Sequence, residues 1–303
     1  GRVNPIRLNS SPRRLCAGIL LGALLGAGCG RPEAQEADGM PTLRQTTARI
    51  RGFDPAHAGD QASIQAAGKI YEGLLQYSYW DRPYRVEPLL AAAMPEVSAD
   101  GLVWRFTLRP GIFFADDPCF AATGGKGREV VAEDVAYSLR RIADLKVASG
   151  GYWVFRGKIA GLDEFREASR SEAPTDYDRA VEGLQATGGH ELEIRLTQPY
   201  PQLPWVMAMP YAFVVPREAV EHYGAGFVNH PVGTGPYVLA EARQNYRYEY
   251  RANPKWAETG RVETMPAEAP TADAGKRLPL IPRIVDSVVG DPSTAWLMFL
   301  SGR

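Results

Sequence analysis

The chain has 303 residues and a formal net charge of −1, with 45% hydrophobic and 23% charged residues. This ordinary globular composition excludes a disordered tail, a collagen-like fibre and a coiled coil. The near-neutral balance also argues against a nucleic-acid binder that works by bulk charge, because such domains are usually basic.

The first element is a leader. Residues 1–28 carry Arg2, Arg7, Arg13 and Arg14 and no acid, and Leu15 to Gly28 is free of charge. That apolar run is shorter than the roughly 20 residues a membrane-spanning helix needs. A basic start, a short apolar stretch and small residues at its end instead predict a secretory signal. The sequence Leu25-Gly26-Ala27-Gly28-Cys29 resembles a bacterial lipobox, in which the signal is cut before a lipid-modified cysteine. Residues 1–28 are therefore the expected lipoprotein signal peptide and Cys29 the expected lipidation site. Gly26 departs from the lipobox, where Leu is commonest. Arg13-Arg14 lacks the flanking Phe-Leu of a twin-arginine signal. Residues 29–41 are polar and rich in acids, Gly and Pro, as expected of a flexible tether.

In the remaining chain, Thr42–Ile50 predicts a first strand, stopped at Phe53-Asp54-Pro55 because proline lacks a ladder donor. Gln61–Leu75 has helical spacing at Ile64, Ala67, Ile70, Tyr71, Leu74 and Leu75. After the Asp100-Gly101 turn signal, Leu102–Leu108 alternates, with Leu102, Trp104, Phe106 and Leu108 on one face of a strand. Phe120–Arg128 is a Gly-rich loop. Val131–Ile142 predicts a helix with Val135, Leu139 and Ile142 on one face and Glu133 and Asp134 at its start. Glu191–Leu196 alternates as a strand, and Pro199, Pro201 and Pro204 break the chain after it. Tyr246, Tyr248 and Tyr250 predict a half-buried strand. Prolines 266, 270, 279 and 282 mark a loop before a strand at Arg283–Val289 and a helix at Ser293–Leu300. Strands and helices mix irregularly, which predicts a mixed α+β or α/β fold.

Enzyme motifs with sharp spacing are absent from the sequence. Gly124-Gly125-Lys126-Gly127-Arg128 is not a phosphate-binding loop, and Gly233-Thr234-Gly235 does not continue into a dinucleotide fingerprint. His57, His190, His222 and His230 lack zinc-ligand spacing. Cys119 is expected to be a buried small hydrophobe. The acid pairs Asp116-Asp117 and Glu133-Asp134 read as turn formers and caps, although paired carboxylates also serve glycoside hydrolysis.

Five blocks in order carry a resemblance. They are Ile70-Tyr71-Glu72-Gly73-Leu74-Leu75, Glu87-Pro88-Leu89-Leu90-Ala91, Asp100-Gly101-Leu102 through Phe106-Thr107-Leu108-Arg109-Pro110-Gly111, Ala132 through Arg141, and His230-Pro231-Val232-Gly233-Thr234-Gly235-Pro236-Tyr237. Together they resemble the family 5 extracellular solute-binding proteins, the capture subunits of peptide and nickel ABC importers. The resemblance runs from about Thr42 to Arg303. It implies a periplasmic-binding-protein type II-like fold, made here of a first large lobe and an accessory domain. Residues 42–56 with 186–291 would form the lobe, 57–185 the accessory domain, and 292–303 the start of a second lobe that is mostly missing.

The resemblance also implies no catalysis and no cofactor or metal. It implies a peptide ligand captured by closure of two lobes, and permease subunits in the inner membrane with a cytoplasmic ATPase as partners. The implied state is a lipid-anchored, exported monomer in the periplasm or cell envelope, with no nucleic-acid partner. Arg51, Tyr152, Trp153 and Tyr211 are the expected ligand contacts. His230, Pro231, Gly233, Thr234, Gly235, Pro236 and Tyr237 are the expected structural motif. Three other readings stay open on the sequence: an exported hydrolase using Asp116, Asp117 or Glu133, a non-transport sensor or chaperone on the same fold, and capture of a nickel chelate or other solute.

Overall fold

The computed structural model describes residues 39–79, 81–258, 272–273 and 275–301. The expected leader, Cys29 and most of the tether lie outside the described residues.

Strand β1 (Thr42–Thr47) is followed by helix α1 (Gln61–Ile70). Asp60 starts α1 by accepting from Ser63 N. Short strands β2 (Leu75–Tyr77), β3 (Val86–Pro88) and β4 (Glu96–Val97) lead to β5 (Val103–Thr107). Helix α2 (Ala132–Ala143) begins where the Asp134 carboxylate accepts from Val131 N at 2.9 Å. Then come α3 (Leu162–Ala168), β6 (Leu184–Ala186), β7 (Glu191–Arg195), α4 (Leu203–Met207) and α5 (Arg217–Tyr223). The chain continues through β8 (Tyr237–Arg243), β9 (Arg247–Ala252), α6 (Pro254–Glu258), β10 (Arg283–Val288) and α7 (Pro292–Leu300).

The strands form two four-stranded sheets and a two-stranded one. The first sheet has the order β1-β10-β9-β8, with β1 parallel to β10 and the other pairs antiparallel. Its two halves come from opposite ends of the described chain. The second, antiparallel sheet has the order β4-β5-β7-β6, and β2 pairs with β3. Strand β7 lies beyond residue 185, where the sequence places the end of the accessory domain, yet it is central to this second sheet. Met40–Arg303 cluster as one compact unit.

The hydrophobic core joins both four-stranded sheets. Phe53 meets Tyr248 and Tyr250 of β9 edge-on at 5.5 and 6.4 Å, while α2 packs on β6, β7 and α3. Three expectations need correction. Strand β1 ends at Thr47 rather than Ile50, because its partner β10 ends at Val288 opposite Thr47. Helix α1 ends at Ile70 rather than Leu75, because Tyr71–Leu74 are drawn out of the helix into the contacts described below. Strand β9 begins at Arg247, so Tyr246 lies before it and is exposed, and the strand buries Glu249 as well as its tyrosine face. Tyr248 and Tyr250 fill one side, whereas Glu249 on the other is buried against Arg283 at 2.7 Å, Arg251 at 3.0 Å and Arg247 at 3.4 Å. No helix among the described residues is long and apolar enough to cross a membrane.

Candidate functional site

The C-terminal end of α1 is where distant motifs meet. A helix leaves its last carbonyls without internal partners. Gly235 N satisfies one of them, donating to Ile70 O at 2.7 Å. Only glycine permits this approach: a Cβ on Gly233 would sit 2.2 Å from Ile70 O, and one on Gly235 2.6 Å from it. The next acid, Glu72, is buried beneath the loop. Its Oε2 accepts from Thr234 Oγ1 at 2.8 Å and its Oε1 from Trp256 Nε1 at 3.2 Å.

Asn253 closes the loop by donating through Nδ2 to Gly235 O at 2.9 Å and through its backbone N to Pro236 O at 2.8 Å. Tyr237 Oη donates to Ile281 O at 2.9 Å. Pro231 is half-buried, and the exposed His230 ring lies 4.7 Å from that of Tyr223. Gly233, Thr234, Gly235, Pro236 and Tyr237 are thus occupied with framework contacts. Sequence reasoning missed Glu72 as an anchor, although an acid inside an apolar helical pattern is the signal that could have found it.

A second buried cluster ties the turn after β1 to α2 and the loop that follows it. Arg141 grips Asp54 bidentately, Nη1 to Oδ1 at 2.7 Å and Nη2 to Oδ2 at 2.6 Å, and both side chains are buried. Burial alone would raise the Asp54 carboxyl. The bonds from Arg141 and His57 outweigh it and hold Asp54 well below the usual carboxylate range. His57 places Nδ1 3.0 Å from Asp54 Oδ2 and Nε2 2.7 Å from Val147 O. Both partners are acceptors, so both bonds form only with the doubly protonated ring. The Asp54 bond raises the His57 pKa against the opposing effect of burial. Ser149 Oγ adds a bond to Ala56 O at 2.7 Å.

The loop beyond Ser149 carries two of the expected ligand contacts and packs on a third. Tyr152 is buried, its hydroxyl bonded to the Asp163 carboxylate and its ring covered by the Arg166 guanidinium at 4.2 Å. It supports the loop rather than offering a surface, because its one polar atom is already spent. Trp153 beside it is 68% exposed. Tyr211 is half-buried against Gly151, where a Cβ would fall 2.2 Å from its ring.

Arg51 lies elsewhere, in an open depression of about 640 Å3 lined by Ala48, Arg49, Arg51 and Asp60. The depression follows the carboxyl end of β1. Ile50 is buried between the two outward-facing arginines. The backbone that presents them is fixed. Arg51 N donates to Ser63 Oγ at 3.1 Å, Phe53 N donates to Val228 O at 2.8 Å, and a Cβ on Gly52 would strike the Val228 side chain at 2.3 Å. Sequence reasoning named Arg51 and missed Arg49, which lines the same depression two residues earlier.

A smaller cavity of about 370 Å3 adjoins the motif loop and includes Asp116, Asp117, Lys126 and Lys255. Asp116 is paired with Lys126 at 2.8 Å and Lys255 at 3.4 Å. Asp117 accepts from Tyr223 Oη at 2.9 Å and Cys119 N at 2.9 Å. Glu133 pairs with Arg140 on α2. These acids are each held by a different structural partner, which disfavours an acid–base couple. Cys119 is free and buried, and burial pushes its thiol pKa up. Among the described residues, no group of three or more His, Cys, Asp or Glu could hold a metal ion.

Comparison with known proteins places this framework. The di/tripeptide-binding protein 2 of Pseudomonas aeruginosa is 27% identical over 224 residues, spanning 70% of this chain and 37% of its own length. The periplasmic oligopeptide-binding protein OppA of Salmonella typhimurium is 26% identical over 256 residues, 82% of this chain and 43% of its own. The chain therefore spans about two fifths of these curated relatives. Among solved structures, Listeria monocytogenes OppA bound to peptide superposes with a TM-score of 0.67 at 21% identity, covering 87% of this chain and 45% of that one. The fold is accordingly that of type II periplasmic binding proteins. Residues 85–303 match the bacterial extracellular solute-binding proteins, family 5 (middle), and with the clasp at Ile70 and the sheet around β10 this chain belongs to that family.

Proposed function

We propose that the protein is the capture component of an ABC importer, binding di- or oligopeptides outside the inner membrane and delivering them to permease subunits. The observation that carries this reading is the open, arginine-lined depression after β1, beside the N-terminal cap of α1. Ligands of open α/β sheets bind outside the carboxyl ends of the strands. The peptide-binding names of the relatives support the ligand class. Arg51, Trp153 and Tyr211 are the proposed contacts. Capture, hinge closure, docking and release replace turnover, so no cofactor enters the cycle. The proposed setting is a monomer anchored to the envelope through lipid on Cys29.

Native mass spectrometry of the protein expressed from its complete natural reading frame tests the reading. A heterogeneous set of co-purifying peptides, released on mild unfolding, is the expected result. A single sharp adduct would transfer the argument to a dedicated small solute, such as a metal chelate.

A further inference from the structure

The depression after β1 has a chemical bias. Two of its four lining residues are arginines, and its one acid is already engaged. Asp60 accepts from Ser63 N at 3.0 Å and Ser63 Oγ at 2.8 Å while capping α1. It also forms a loose ion pair with Arg51 Nε at 3.9 Å, beyond hydrogen-bond range, so the Arg51 donors stay unspent. The Arg51 side chain is 80% exposed. Arg49 makes no hydrogen bond or ion pair among the described residues. The burial of Ile50 and the tight fit of Gly52 fix the backbone between and beyond them. Two exposed guanidinium groups that line one depression, with hydrogen-bond donors left over, are suited to a planar anion.

Resting on the peptide-capture reading, we propose that Arg49 and Arg51 are specificity-determining residues that select a carboxylate-bearing segment of the ligand. The carboxylate is either the peptide's own C-terminus or an acidic side chain. Both present the same two oxygens to the guanidinium groups. A neutral amide at that place accepts through one oxygen only and leaves guanidinium donors without a charged partner. The preference weakens with salt, because the arginines are exposed and their attraction is screened.

The test uses alanine-based tri- to pentapeptides carrying either Glu or Gln at one position, each with a free or an amidated C-terminus. Binding to the protein from its complete natural reading frame is measured calorimetrically. The expected result is about tenfold weaker binding of the fully neutral member, the scale of one charge-assisted hydrogen bond. Loss on amidation assigns the carboxylate to the C-terminus, and loss on Glu-to-Gln exchange assigns it to the side chain. The double variant Arg49→Gln/Arg51→Gln, checked for an unchanged melting temperature, is expected to bind all four peptides alike. Peptide binding without charge preference, or a preference that survives the double variant, overturns this inference and leaves peptide capture standing. Failure of every peptide to bind, with the protein folded, removes peptide capture and this inference together.

Discussion

The two ends of α1 use similar chemistry for opposite purposes. At the C-terminal end, Glu72 is buried and spends its carboxylate on Thr234 and Trp256. At the N-terminal end, Asp60 borders the depression where Arg49 and Arg51 face solvent. The contrast is sharper between arginines. Arg141 is buried and bidentate on Asp54, while Arg51, ten residues upstream of α1's first residue, is exposed and nearly unbonded. The same guanidinium is framework when its partner is fixed and buried, and stays available to solvent when its donors are left over. Burial and partner, rather than residue type, decide which.

The largest expected break in this comparison comes from Arg141→Ala. It leaves Asp54 charged and buried without its partner, at a cost of about 3–5 kcal/mol. Chemical denaturation should read it directly, and a loss no larger than that of Arg51→Gln would dissolve the distinction between frame and surface. Next in size is Gly233→Ala. The added Cβ would strike Ile70 O, a backbone atom that cannot swing aside, costing about 1–3 kcal/mol or more. Gly68, in the last turn of α1, sharpens that case because nothing lies within 4 Å of a Cβ there. Gly68→Ala should stabilise by about 0.5–1 kcal/mol, so two alanines in neighbouring elements should move the melting temperature in opposite directions. Arg51→Gln should shift stability by less than about 0.5 kcal/mol, as surface changes usually do.

The smallest effect is a pH dependence. The folded-state pKa of His57 is raised, so its contribution is fully present below the ordinary value of 6.5 and is lost as pH rises through the raised value. The lowered Asp54 carboxyl acts at the other end. Its contribution is present above the ordinary value of 3.8 and is lost as pH falls through the folded value. Comparing wild type with His57→Gln from pH 6 to 9 should show wild type losing its small advantage. An advantage that grows with pH would mean that the ring is neutral and one of its two bonds is not made.

Helices α2 and α7 show where composition misleads. Helix α2 carries Glu133, Asp134, Arg140 and Arg141, yet of its residues only Glu133 is exposed. Its charges are paired: Asp134 with Arg128 at 2.7 Å, Arg140 with Glu133, and Arg141 with Asp54. Helix α7 is far more apolar but has no buried residue among those described, and Trp296, Leu297, Phe299 and Leu300 are 59–70% exposed. Local pattern placed both ends of α2 and the start of α7 within one residue. It could not say which would be covered, because coverage depends on what the rest of the chain lays against them.

What the sequence by itself determined were elements whose signal is local and periodic. β5, β7, β10 and α2 lie within one residue of where alternation or helical spacing puts them, β1 begins at the expected Thr42, and the five motif blocks in order identified the family. Arg51 stands out as a candidate because it follows a strand and precedes a stop. The tertiary structure alone decided the end of α1, where helical spacing continued through Leu75 but Gly235 takes over the Ile70 carbonyl from far along the chain. It also decided the burial of Glu249 and the roles of Glu72 and Asp54. A charge can be buried only where a specific partner meets it, and Thr234, Trp256, Arg283 and Arg141 all arrive from distant segments. Periodicity reports which face of an element is apolar, and long-range contact determines which polar groups that face can enclose.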